Sequence, residues 1–336
     1  MSSIYEIAKK VGFSPSTVAR ALNGKGYVDE RKREIILNAA KELNYAPSYA
    51  AKILKTKRTE KIIFAIPDIC NPFYFDMING ANSVLEQYGY LMVLFYTKHN
   101  LNEELKVIQH LKEKYADGMI MVSFNFCHEN IESINSSEAP VVLTNKYDSV
   151  DSDDKFDYVY VDTYLGIKMA TEHLLKQGHQ RIAYVGGDMK EQTGSERFMG
   201  YRDAILDAGL KLESKYIFES NYTESGGYLC GKEILCLEQR PTAVVASNDL
   251  MAIGIINACD EAQVKIPDDI AIIGMDNTDI ATRVSPKLSS VAMLQEEIGR
   301  NAAQILMDRL NGDVGEKKRV KLFPRLVIRQ SSVRQE

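Results

Sequence analysis

Residues 2–26 read SSIYEIAKKVGFSPSTVARALNGKG, the pattern of a helix-turn-helix. Ile4, Ile7, Ala8 and Val11 recur at helical spacing and give a first short helix one apolar face. Gly12 follows where a left-handed residue ends a helix. Ser14 is placed to cap a second helix, with Pro15 at its first position, where a missing N–H loses no hydrogen bond. Val18, Ala21 and Leu22 then face inward, leaving Pro15, Ser16, Thr17 and Arg20 on the outer face. A recognition helix reads base edges from its N-terminal end. The same spacing also fits two surface helices on any globular domain.

Charge favours the first reading. Residues 1–60 hold 12 basic and 6 acidic side chains, which puts +6 on the head and leaves −11 for the rest of a −5 chain. A cationic head releases counterions from DNA, while an acidic body is repelled by it. The 336 residues exceed one ordinary domain, and no apolar run approaches the length of a membrane span. The N-terminus has no signal-peptide pattern, which implies a cytoplasmic protein. Cys70, Cys127, Cys230, Cys236 and Cys259 include no CxxC pair and read as reduced, mostly buried thiols.

Asp29 to Leu43 carries Ile35, Ile36, Ala39, Ala40 and Leu43, an amphipathic third helix that closes a small core. Asn44-Tyr45-Ala46-Pro47 stops it. Residues 48–59, SYAAKILKTKRT, are alanine-rich, basic and too short for a stable isolated helix. They read as a flexible linker, or as a hinge helix that folds against DNA or its own copy in a dimer.

From Ile62 the chain alternates. KIIFAIP, YLMVLFY, GMIMV, PVVLT, DYVYVD, RIAYVG, AVVAS and IAIIGM read as buried strands. Residues 74–89, 101–115, 163–178, 194–209, 223–239 and 248–264 read as amphipathic helices. Alternation of this kind builds parallel sheets, which bind ligands at their carboxyl ends. The residues after those strands are Asp68, Asn71, Phe73, Tyr74, Asn125, Asn145, Asp162, Arg197, Tyr222, Asn248, Asp249 and Asp276. Aromatic faces mixed with amide, carboxylate and guanidinium groups suit a sugar, whose ring stacks and whose hydroxyls pair. A nucleoside or purine also fits. Asp249 reads as the cap of a helix starting near Leu250 more readily than as a ligand contact. Asp162 reads equally as a cap for the helix at Thr163, and Asn71 and Pro72 can serve a turn alone.

No GxSxG, GxxxxGK[ST], HExxH or GxGxxG motif is present, and His99, His110, His128, His173 and His179 lack metal spacing. No enzyme, cofactor or metal site is expected.

STVARALNGKGYVDERKREIILNAAKELNYAPSYAAKILKTKRTEKI, followed by IPDICNPFY, TEHLLKQGHQRIAYVGG, SERFMGYRDAI, ASNDLMAIG and IAIIGMDNTDIATRVSPKLSSV, resembles the LacI/GalR family of bacterial transcription regulators from end to end. The resemblance implies an α/β, two-lobed, periplasmic-binding-protein-like body with an N-terminal all-α helix-turn-helix headpiece. Residues 1–47 would form the headpiece, 48–60 the hinge, and 61–336 the effector-binding and dimerisation body. Lobe one would span about 61–160 and 292–322, and lobe two about 161–291 and 323–336, with three crossover strands between them. It also implies a homodimer on operator DNA that represses carbohydrate-use genes under a sugar-like effector. Whether the effector induces or co-represses is open. Its DNA-facing set is Tyr5, Ser14, Pro15, Ser16, Thr17, Arg20, Asn23, Ala51, Leu54 and Lys57. Its effector set is Phe73, Tyr74, Asn125, Asn145, Asp162, Arg197, Tyr222, Asn248 and Asp276, with Tyr222 as the stacking aromatic.

The resemblance puts Leu54 where the family wedges a leucine into the minor groove at the operator centre. Apolar wedges kink the duplex and make its deformability part of specificity. Leu54→Ala is therefore expected to lose the DNA bend and most of the affinity, with an unchanged melting temperature of the body. A bend at the unmodified angle, measured by circular-permutation gel shift, would exclude the wedge. Lower body stability with the bend retained would instead mean that Leu54 packs on the body.

Overall fold

The computed structural model describes residues 3–24, 26–46, 53, 56–123, 127–146 and 156–333. They form two compact units that divide between Thr59 and Glu60.

In the first unit α1 (Ile4–Val11), α2 (Pro15–Asn23) and α3 (Glu30–Glu42) surround a small core. Ser3 opens α1 through a reciprocal box. Its Oγ accepts the Glu6 N–H at 3.3 Å, and the Glu6 carboxylate accepts the Ser3 N–H at 3.0 Å. Gly12, at φ 71°, ends α1, and Ser14 Oγ accepts the Thr17 N–H at 3.2 Å to start α2. Ile7, Val18 and Ile36 are fully buried, ringed by Ala8, Ala21, Ala39 and Ala40. Ile35, expected in this core, is 49% exposed. The inward stripe of α3 runs through Ile36, Ala39 and Ala40, and a neighbour in sequence is turned roughly 100° away.

The second unit contains two six-stranded sheets. In lobe one the order is β2 (Leu91–Tyr96), β1 (Lys61–Ile66), β3 (Gly118–Met121), β4 (Val141–Leu143), β5 (Asp157–Val161) and β11 (Arg319–Leu322), all parallel. In lobe two the order is β7 (Ile217–Glu219), β6 (Ile182–Gly186), β8 (Ala243–Ala246), β9 (Ala271–Asp276), β10 (Ser289–Ala292) and β12 (Arg325–Val327). Only β12 runs antiparallel to its neighbour. The chain passes between lobes three times: from β5 into α7 (Thr163–Lys176), from β10 into α12 (Gln295–Leu310), and from β11 to β12.

Helix α12 packs along α4 (Phe73–Leu85) in lobe one. A Cβ at Gly299 would lie 1.9 Å from the Met77 carbonyl oxygen, and one at Gly80 would lie 2.1 Å from that of Glu296. The two backbones touch, so neither helix rotates without the other.

Several expectations need correction. YLMVLFY is an edge strand: Leu91 and Leu94 are 62% and 49% exposed, because β2 has a strand neighbour on one side only. The strands β7, β10, β11 and β12 were not expected. β10 and β11 read SSVA and RVKL, with polar residues where buried strands usually carry Val and Ile. The buried serines of β10 find partners far along the chain: Ser289 Oγ accepts the Arg329 N–H at 2.7 Å, and Ser290 Oγ donates to the Asp249 carboxylate at 2.5 Å. Helices α6 (His128–Asn135), α11 (Ile280–Arg283) and α12 also lie outside the expected helical stretches. Of the cysteines, Cys230 and Cys259 are buried, whereas Cys70 and Cys236 are exposed.

Asp157 on β5 ties the end of α12 to the start of β11. It is 1% exposed and accepts both arms of the Arg309 fork at 3.1 and 2.8 Å, as well as the Lys318 N–H at 2.8 Å. Burial alone would raise this carboxyl, but Arg309, the Lys318 N–H and Lys317 outweigh it and hold it below the ordinary range. Asp157→Asn is expected to cost about 3 kcal/mol in chemical denaturation, the low end for one half of a buried pair. The reason for the low end is Asp313, which remains 3.4 Å from Arg309. Because the folded pKa is depressed, the stabilisation is present above about pH 4 and lost as pH falls through the folded value. The variant should lack this acid-side loss.

Candidate functional site

The strand ends of the two lobes enclose a cavity of about 440 Å³, within the usual range for a small ligand. Phe73, Tyr74 and Asn145 line it from lobe one, and Arg197, Tyr222, Asn248 and Asp276 from lobe two. The structure thus brings seven of the nine expected effector residues together. Asn125 lies outside the described residues. Asp162 is not part of the lining and needs correction. Its carboxylate caps α7 by accepting the Leu165 N–H at 2.8 Å and pairs with Lys321 at 2.6 Å. The capping reading of Asp162 is the one its geometry matches.

In lobe one Asn71 Oδ1 accepts the Phe73 N–H at 3.0 Å, which sets the first turn of α4. Phe73 and Tyr74 meet edge to face, with ring centroids 5.2 Å apart. Asn145 Nδ2 donates to the Ser123 carbonyl at 2.9 Å.

Lobe two supplies the charged floor. Arg197, on α8 (Gln192–Asp207), is 8% exposed and donates through Nη1 to the Ser247 carbonyl at 2.8 Å. Its Nε and the Tyr222 hydroxyl are both buried without a well-directed hydrogen bond. The Arg197 guanidinium carbon lies 5.4 Å from the Tyr222 ring centre. Only a glycine at position 187 lets that ring lie where it does, since a Cβ there would fall 2.0 Å from it. Burial opposes the Arg197 charge, but Tyr222 and Asp276 more than offset it, so Arg197 holds its proton more tightly than usual. Asp276 is pushed well up by burial and by neighbouring Asp249, against the pull of Arg197. Its backbone has φ 117°, an unusual value for a residue with a side chain.

Asn248, not Asp249, caps α10 (Asp249–Glu261). Its Oδ1 accepts the Met251 N–H at 2.9 Å, and its Nδ2 donates to the Tyr222 carbonyl at 2.9 Å. Asn248 therefore both positions Tyr222 and faces the cavity. Asp249 is an internal acceptor, taking the Thr278 N–H at 2.8 Å and the Ser290 hydroxyl at 2.5 Å. Burial pushes its carboxyl up to about 6.

The cavity also touches Asp68, Tyr96, His99, Lys146, Tyr160, Thr193 and Glu196. Of these, only Asp68 was anticipated. Thr193 and Glu196 had a legible signal: they precede Arg197 by four and one residues on the same helix. Tyr96 and Tyr160 stand at the ends of quoted strands.

In the headpiece, Tyr5, Ser14, Pro15, Ser16, Arg20 and Asn23 are exposed, and Thr17 is half-buried. Ser14 Oγ lies 2.9 Å from Ser16 Oγ and 2.8 Å from Thr17 Oγ1. Arg20 Nε donates to the Ser16 carbonyl at 3.3 Å, which leaves its terminal nitrogens at the surface. Lys10 pairs with Glu42 at 2.6 Å, an exposed pair of little energetic weight. Lys57 has φ 54°, and its N–H donates to the Ile53 carbonyl at 2.7 Å. Ala51 and Leu54 lie outside the described residues.

A two-lobed α/β body with a ligand-sized cleft, on a chain that also carries a helix-turn-helix, defines the class: a ligand-responsive DNA-binding regulator. Residues 3–48 match the family model for bacterial regulatory proteins of the lacI family, and residues 171–332 match a periplasmic binding protein-like domain. The chain is 31% identical over 331 residues to catabolite control protein A of Priestia megaterium, covering 98% of this chain and 99% of that protein. It is also 31% identical over 332 residues to the HTH-type transcriptional repressor PurR of Vibrio campbellii, covering 98% of each. The chain belongs to the LacI family of bacterial transcription regulators. Among solved structures, the transcriptional regulator CelR–cellobiose complex matches with TM-score 0.76 and 27% identity, over 99% of this chain and 100% of that one. The lac repressor dimer bound to operator and the anti-inducer ONPF matches with TM-score 0.88 over 99% of each chain; at 21% identity this is a likeness of fold. No helix among the described residues is long and apolar enough to cross a membrane.

The contrast between Asp162 and the cavity residues is testable. Asp162→Ala should cost about 1 kcal/mol of stability through the lost cap. Calorimetric affinity for a cleft-bound sugar should be unchanged. A large loss of affinity without destabilisation would return Asp162 to the ligand set.

Proposed function

We infer that this chain is a cytoplasmic, homodimeric repressor of carbohydrate-use genes, with no catalytic activity, controlled by a sugar-like effector in the interlobe cleft. The division of labour follows the chain: residues 1–47 read the operator, 48–60 act as hinge, and 61–336 sense the effector and dimerise. The observation that carries the reading is Arg197. It is an enclosed, permanently charged fork with an unspent Nε, beside the Tyr222 ring and in the electrostatic field of Asp276, which lines the same cavity. A guanidinium and a carboxylate together bind vicinal hydroxyls by paired hydrogen bonds, and the adjacent ring takes an apolar sugar face. Phe73, Tyr74, Asn145 and Asn248 complete this set. The names of relatives support it: CelR is complexed with cellobiose, and the lac repressor is a dimer on its operator. The same aromatic and amide groups also suit a nucleobase, which is the second reading.

On the DNA side Arg20 and Ser16 read bases in the major groove, with Tyr5, Ser14, Pro15, Thr17, Asn23, Ala51, Leu54 and Lys57 around them. Phosphate contacts supply affinity and base contacts supply selection.

Two substitutions should part company. Arg20→Ala should weaken operator binding by about 1–3 kcal/mol and relax selection at one position, while ligand-induced thermal stabilisation persists. Arg197→Ala should do the reverse, keeping gel-shift affinity and losing the thermal response. The screen should hold mono- and disaccharides beside nucleobases, because a ligand at a hundred times its Kd adds roughly 2.7 kcal/mol. A response to nucleobases alone would select the second reading, and an Arg197→Ala chain with full sugar sensitivity would show the site to be misassigned.

A further inference from the structure

Gln295 opens α12, directly after the second passage between lobes. It is 6% exposed, and its side chain reaches back across the passage, where Nε2 donates to the Asp276 carbonyl at 2.6 Å. Asp276 belongs to lobe two and lines the cavity, while α12 belongs to lobe one. Both ends of the link have unusual backbones, with Asp276 at φ 117° and Leu294, next to Gln295, at φ 52°. Such conformations persist where surrounding contacts over-determine them. The Gln295 bond is one such contact, and it acts on the peptide whose orientation aims the Asp276 carboxylate.

The link continues into lobe one. Gly299 lies one turn further along α12 and touches the α4 backbone at Met77, and Gly80 touches α12 at Glu296. A shift of α12 is therefore passed to α4, whose first turn carries Phe73 and Tyr74 into the same cavity.

We propose that Gln295 is a positioning residue that joins the effector-contacting end of β9 to α12, so that ligand occupancy and lobe angle share one hydrogen bond. The proposal rests on the effector-cleft reading. It assigns Gln295 no contact with the ligand: the residue acts through Asp276. Losing the bond frees the Asp276 peptide and uncouples the lobes at this passage.

The test uses the full chain with Gln295→Met, which keeps side-chain length, and Gln295→Glu, which keeps shape but turns a carboxylate toward the carbonyl. Hydrogen exchange without ligand is the first readout. Both variants should exchange about fivefold faster at residues 276–278 and 293–298, the scale of one lost hydrogen bond, with β6 and β8 unchanged. Unchanged exchange at those residues overturns the proposal, as does an increase spread over both sheets, which would mark general destabilisation. An effect of Gln295→Glu alone also overturns it, since that would be a charge effect.

The second readout is thermal shift with cellobiose, D-ribose and adenine. The variants should need about five- to tenfold more of the active probe for the same shift. Equal sensitivity in the unmodified chain and both variants overturns the proposal alone. No shift by any probe in the unmodified chain overturns the cleft reading, and the proposal with it.

Discussion

The two lobes share three passages of one chain, and the cleft exists because those passages keep two sets of strand ends facing each other. Parallel sheets direct their carboxyl ends, with the helix N-termini that follow, to one side. Here β1, β5, β8 and β9 deliver Tyr74, Thr163, Asn248 and Asp276 to one space. Three strands of backbone between rigid bodies permit rotation and forbid separation.

The floor of the cleft is held by polar groups whose partners are mostly other parts of lobe two. Asn248 uses its amide to cap α10 and to fix the Tyr222 carbonyl. Asp249 is occupied by Thr278 and Ser290 and holds the β9–β10 region beneath the site. Arg197 is fixed at one end by the Ser247 carbonyl and keeps its Nε unspent. Groups already fixed by neighbours meet a ligand with little further loss of side-chain freedom, which is how preorganisation raises affinity. Gly187 belongs to the same arrangement, since the Tyr222 ring lies where any side chain at 187 would be.

Asp249 and Asp162 show where reading by residue type stops. Each precedes or opens a helix and is a carboxylate near a strand end, so sequence offers cap or ligand contact for both. Asp162 is a cap, held also by Lys321. Asp249 is neither, because Asn248 takes the cap one residue earlier and turns Asp249 inward. A single residue of register decides the matter, and register at a helix start depends on which side chain finds the free N–H groups.

The headpiece was legible because its determinants are local. The Ser14 cap, Gly12, Pro15 and the helical spacing that turns Ile7, Val18 and Ile36 inward each act within a few residues or along one helix face, whereas the Ser3 cap emerged only in the structure. The alternation of apolar runs with amphipathic stretches likewise determined that the body has parallel sheets, since strands buried on both faces read as near-continuous apolar runs. Tertiary structure decided the rest. It made β10 a strand although its serines are polar, because Arg329 and Asp249, each 40 or more residues away, satisfy their hydroxyls. It placed α12 against α4 through two glycines and brought Gln295 to Asp276 across a passage between lobes. Such contacts depend on distance in space, and a sequence records only distance along the chain.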